Sequence, residues 1–179
     1  MCKKLLVFGV IVFISHNIFS QKDKFKDWHP TEIEYYKNLK KLAYYVGVKP
    51  DADFEISKDS IIQKYLYIYI NEESKDSIHK NTVYSIEYKN GLFNTYFTKA
   101  IDKHGLENLD AQPLRFYKET DSIYRPFRKA LNKVSQYVLV YYLKGSPEKP
   151  IGTLVFEPKS KKLASWILLS QGSSGWFYL

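Results

Sequence analysis

The stretch Tyr137-Val138-Leu139-Val140-Tyr141-Tyr142-Leu143 decides the fold. A strand turns successive side chains to opposite faces, and here both sets are apolar. Such a strand has to be covered on each side, which makes it the central strand of a sheet. Gly145-Ser146-Pro147 turns the chain into a second strand over Ile151–Glu157. Pro158-Lys159-Ser160 turns it again into a third, Leu163–Leu169. Gly172-Ser173-Ser174-Gly175 is a last bend before a short final strand over Trp176–Leu179. Turn residues of this kind separate strands because they favour tight backbone geometry. Just upstream, Phe127, Ala130, Leu131 and Val134 have helical spacing, and Pro126 fits only in a first turn, so a helix is predicted over Tyr124–Lys133.

The same pattern is read in the first half. Thr31 and Glu34 have capping-box spacing, and Tyr35, Leu39, Leu42 and Val46 follow on one helical face, with Gly47 as a stop. After a connecting segment over 48–63, Tyr65-Leu66-Tyr67-Ile68-Tyr69-Ile70 alternates tyrosine with aliphatic and reads as a strand. Asn90-Gly91 between two alternating runs reads as a two-residue hairpin turn, facing Tyr88 to Phe93, Ile86 to Thr95 and Tyr84 to Phe97. Residues 100–120 have no regular pattern. The expected fold is α+β: two helices packed on one face of a mainly antiparallel sheet, in the order α-β-β-β-α-β-β-β(-β).

Residues 1–20 read as a signal peptide. Lys3 and Lys4 precede an apolar run from Leu5 to Ile14, and Ser15-His16-Asn17 follow. Extended to Phe19, the segment still falls short of the roughly 20 apolar residues that a membrane span requires. A lipoprotein signal would need a cysteine after the run, and the only one is Cys2. The expected organisation is therefore a leader over 1–20, a flexible arm over 21–30 and one domain over 31–179. The expected location is periplasmic or extracellular.

Cleavage after Ser20 would remove Met1 and Cys2, the only sulfur in the 179-residue chain. Disulfides, thiolate nucleophiles, Cys-ligated zinc and iron–sulfur clusters would then be excluded together. With 45% hydrophobic and 17% aromatic residues, disorder is excluded as well. His29, His79 and His104 stand singly, without the spacing of a metal site. There is no G-x-S-x-G elbow, no P-loop and no dinucleotide fingerprint, so neither a catalytic residue nor a cofactor or metal site is assigned.

Two features suggest binding. Sixteen tyrosines are unusual, and Tyr65, Tyr67 and Tyr69 at alternate positions form a candidate platform for a sugar or peptide. The competing reading puts them in a buried layer. Arg125, Arg128, Lys129 and Lys133 form the one local basic cluster in a chain of net charge +8. The excess is mostly lysine, which suits a solvated surface better than bidentate phosphate recognition. Export disfavours a nucleic-acid target and leaves an anionic envelope polymer or a phospholipid headgroup as the acidic partner, with a plain solvated face as the stronger competing reading. The expected function is a non-catalytic binding module of the cell envelope, with a protein or polysaccharide partner. The alternative is a cofactor-independent glycan- or peptide-bond hydrolase using carboxylates.

Overall fold

A computed structural model describes residues 24–47, 63–67, 86–124, 128–166, 168–171 and 174–177. Helix α1 spans Pro30–Gly47. Its first intrahelical bond runs from the Ile33 N–H to the His29 carbonyl at 3.1 Å, so His29 is the N-cap and Pro30 the first helical residue. Proline suits that position because its missing N–H would have no partner there. The reciprocal acid is Glu32 rather than Glu34: Glu32 Oε2 accepts the His29 N–H at 2.7 Å. The cap expected at Thr31 thus lies two residues earlier, fixed by Pro30. Before it, the stretch expected to be a flexible arm is packed from Lys24 onward. Trp28 is buried, and Phe25 and Tyr36 meet it edge-on at 5.1 and 5.5 Å.

The largest departure from the sequence reading is at Asn90-Gly91. Ile86–His104 is a single helix, α2, and no hairpin forms there. Phe93, Phe97 and Ile101 recur every four residues and are all buried, forming the inner face of this helix. Gly91 in an exposed helix interior costs about 1 kcal/mol relative to alanine. Burying each of those three side chains returns about 1.5–3 kcal/mol, which outweighs it. Helix α2 stops at Gly105, whose φ of +77° suits glycine and whose N–H bonds the Ile101 carbonyl at 2.8 Å.

Strand β1, Leu109–Pro113, follows at once, inside the stretch read as irregular. Strands β2 (Val138–Leu143), β3 (Pro150–Phe156) and β4 (Leu163–Ser165) complete an antiparallel sheet in the order β1-β2-β3-β4. Ala111 pairs with Tyr141 and Leu139 with Leu154, so β2 has the central place its sequence requires. Pro113 ends an edge strand, where a missing N–H is tolerated. The third expected strand, Leu163–Leu169, divides: β4 ends at Ser165, and β5 (Leu168–Gln171) pairs with β6 (Ser174–Phe177) as a separate hairpin.

Each face of the sheet has its own core. Leu109, Ala111, Leu139, Leu154, Phe156 and Leu163 pack against α1 and α2, with Tyr35 stacked on Phe156 at 4.8 Å. Val138, Val140 and Val155 on the other side pack with Leu114, Tyr117, Tyr124 and Leu131. Leu131 lies on α3, Arg128–Val134, the short counterpart of the helix predicted over Tyr124–Lys133. The α+β class holds, but the helices lie on both faces instead of one, and the described order has α2 where the hairpin was expected. Tyr65 closes a helical turn at 63–65, and Leu66 makes one parallel bridge to Leu163, so the expected Tyr65–Ile70 strand is reduced to that bridge within the described residues. No helix among the described residues is long and apolar enough to cross a membrane.

Candidate functional site

Three alanines from three elements leave space between the helices and the sheet. Ala43 on α1, Ala100 on α2 and Ala111 on β1 line one cavity of about 340 Å³. That is at the lower end of ligand pockets, which run from roughly 300 to 1,000 Å³. Leu39 is one turn from Ala43 on α1; Phe97 and Ile101 bracket Ala100 on α2; Leu154 and Tyr141 come from the sheet. Trp166, just beyond β4, closes another part of the wall. Its indole Nε1 is buried and has no hydrogen-bond partner among the described residues. The Phe93 ring meets the indole edge-on, with centroids 5.1 Å apart and planes at 89°.

Tyr141 is held over Gly152, its partner across β2 and β3. A Cβ at position 152 would lie 2.8 Å from one ring carbon of Tyr141 and 2.9 Å from its hydroxyl oxygen. The glycine therefore lets this aromatic wall lie flat on the neighbouring strand.

The polar part of the wall is made by Tyr36, Lys40 and Asp110. Tyr36 donates its hydroxyl hydrogen to Asp110 Oδ1 at 2.8 Å, and the Ala111 N–H reaches the same oxygen at 2.8 Å. Lys24 Nζ donates to Tyr36 Oη at 2.9 Å, forms an ion pair with Asp110 and lies 4.1 Å from the centroid of the Tyr36 ring. Burial holds the Lys24 ammonium below the usual lysine value; Asp110 opposes that effect, while Lys40 and Lys144 add repulsion. Burial also pushes the Tyr36 phenol far above its usual value, reinforced by the charge and hydrogen bond of Asp110. Tyr36 is thus a neutral donor at ordinary pH, and Asp110 is an anchor already bound by three donors.

A second polar assembly fixes the start of α1. Arg115 Nε meets Glu32 Oε1 at 2.7 Å and its Nη2 meets Glu32 Oε2 at 2.9 Å, a bidentate pair. The guanidinium also donates to the Asp27 carbonyl. Glu32 is buried, and one helical turn separates it from Tyr36.

The residues singled out from the sequence lie elsewhere. Tyr65 is in the core beside Tyr45, with nearly parallel rings 6.4 Å apart; Tyr67 is half-buried; Tyr69 lies outside the described residues. Lys129 and Lys133 are exposed on α3, which Arg128 begins, while Arg125 lies outside the described residues. His29 and His104 serve at the ends of α1 and α2, the latter accepting Asn108 Nδ2 on its carbonyl at 2.9 Å. His79 lies outside the described residues. No group of three His, Cys, Asp or Glu among the described residues could hold a metal ion. None of the cavity residues was proposed as a site from the sequence, although Leu39, Phe97 and Tyr141 were read as structural positions. The signal available was three alanines on otherwise apolar faces, which marks a site only once the elements are placed together.

Comparison with protein-family models, with curated proteins and with solved structures returns no match.

Proposed function

We propose that the protein is an exported, non-catalytic binding module of the cell envelope, and that its binding site is the cavity between α1, α2 and the sheet. One observation carries the reading: an apolar-walled space of ligand size with a few polar groups gathered on one part of its wall. Export rests on the leader pattern of residues 1–20. The walls favour an apolar group with a polar end over a sugar, whose hydroxyls would face aliphatic and aromatic surface without partners. A protein partner could supply such a group as a side chain; a small molecule could supply it whole. The alternative of a two-carboxylate hydrolase has less support, because Asp110 is the one acid on the wall among the described residues and is already tied to Lys24, Tyr36 and the Ala111 N–H.

The test is native mass spectrometry of the mature protein purified from its host, beside an Ala100→Phe variant that fills the cavity. A bound mass of a few hundred daltons on the first and its loss on the second are expected. A ligand-free wild type, with no thermal shift across a panel of small apolar compounds, would refute the assignment. Intact mass on the same material tests export: a full-length mass would remove the leader from the argument.

A further inference from the structure

We propose that the cavity selects a short amphiphile with an anionic head group, the anion meeting Lys40 and the apolar chain lying between α2 and β3. The proposal rests on the cavity being the binding site and adds the chemistry of the occupant. Size comes first. At about 30 Å³ for each water-sized group, 340 Å³ accommodates on the order of ten heavy atoms. The walls set the chain's character, since Phe97, Ile101 and Leu154 offer no polar side-chain atom.

The head group follows from what the wall leaves unpaired. Asp110 is satisfied by Lys24, Tyr36 and a backbone N–H, so it offers little to an incoming cation. The Lys40 side chain is half-buried on the wall and has no ion-pair or hydrogen-bond partner among the described residues. Trp166 Nε1 is a buried donor with no acceptor among those residues. Lysine and indole N–H can only donate, whereas the hydroxyl of Tyr141, another residue of the wall, can do either. The unused capacity thus calls for a ligand that accepts. Charge points the same way: Asp110 is already paired with Lys24 from outside the wall, which leaves the Lys40 charge on the wall unbalanced, and Lys144 adds positive charge near Lys24. A carboxylate or phosphate head would gain a charge-assisted hydrogen bond there, whereas an ammonium would meet net repulsion.

Isothermal titration of the mature protein with octanoate, octanol and octylammonium separates the possibilities, since the three share a chain and differ in charge. Octanoate is expected to bind at least tenfold tighter than octanol, and octylammonium weakest. Lys40→Gln should collapse the octanoate-to-octanol ratio towards one, while Lys118→Gln, an exposed lysine off the cavity wall, keeps it. Equal binding of octanoate and octanol to the wild type, or a preference for octylammonium, would overturn the anionic head and leave the cavity reading standing. Binding of none of the three would overturn both.

Discussion

Replacing Gly91 by alanine distinguishes the two readings of residues 86–97 by the sign of its effect. In α2, Gly91 is the sixth residue of a nineteen-residue helix, exposed, with no atom within 4 Å of an added Cβ. Its φ is not positive, so alanine fits the backbone unchanged. The gain is the helix-propensity difference, about 0.5–1 kcal/mol, much of it from restricting the unfolded chain. For a domain of this size that corresponds to a rise in Tm of about 1–4 °C. As the second residue of an Asn-Gly hairpin turn, Gly91 would instead need a left-handed backbone, where alanine costs about 1–2 kcal/mol. Urea denaturation followed by circular dichroism at neutral pH, with the slope compared between variants, measures the difference directly. A midpoint that falls by more than 0.5 kcal/mol equivalent, at unchanged slope, would refute the helix and with it the α2 wall of the cavity.

Two further outcomes test the frame around the site. Arg115→Ala leaves the buried Glu32 carboxylate with only the His29 N–H, and should cost about 2–3 kcal/mol, below the usual range for a broken buried pair because the guanidinium is about one-third exposed. A double-mutant cycle with Glu32→Gln should show coupling above 1 kcal/mol; additivity would reduce the pair to a surface contact. Alkaline denaturation reads the tyrosines. Tyr35, 1% exposed, is pushed up to about 12 chiefly by burial, from an ordinary value of 10.0. A phenol raised on folding stabilises fully below its unfolded value, and that contribution disappears as pH rises from 10 through 12. Tyr35 alone should therefore remove about 1.4 kcal/mol by pH 11 and approach 2.7 kcal/mol above pH 12. Denaturation midpoints that do not change between pH 9 and 11 would contradict the burial of this ring.

The second half of the chain was legible where a residue's two neighbours forced one answer. Tyr137–Leu143 has no polar face, so no position but the middle of a sheet suits it, and the turns at Gly145 and Pro158 deliver β3 and the start of β4. The first half misled because two periods overlap in it. Phe93 and Phe97 are four apart, a spacing that serves a strand face and a helix face alike. Asn90-Gly91 favoured the strand, and Ile101, buried a further four residues on, fits both patterns equally and leaves the choice to tertiary packing. Strand β1 was hidden by its brevity and by Pro113, which an edge position permits and a sequence pattern discounts. The cavity was not legible at all. Ala43, Ala100 and Ala111 each look like ordinary core positions, and the space exists only because tertiary packing turns all three towards one point.

The double cover of β2 has a thermodynamic consequence. Leu139 and Val140 are adjacent, fully buried, and belong to different cores. Peeling α1 and α2 away would bare one side of β2 while the other stayed sealed, so the half-open state loses the burial of one core without regaining the chain entropy of β2. The two cores are therefore bound into one cooperative melting unit, with β2 as their common wall. Partial opening is cheapest at the sheet margins, and β1, which contributes Asp110 and Ala111 to the cavity, is one of those margins.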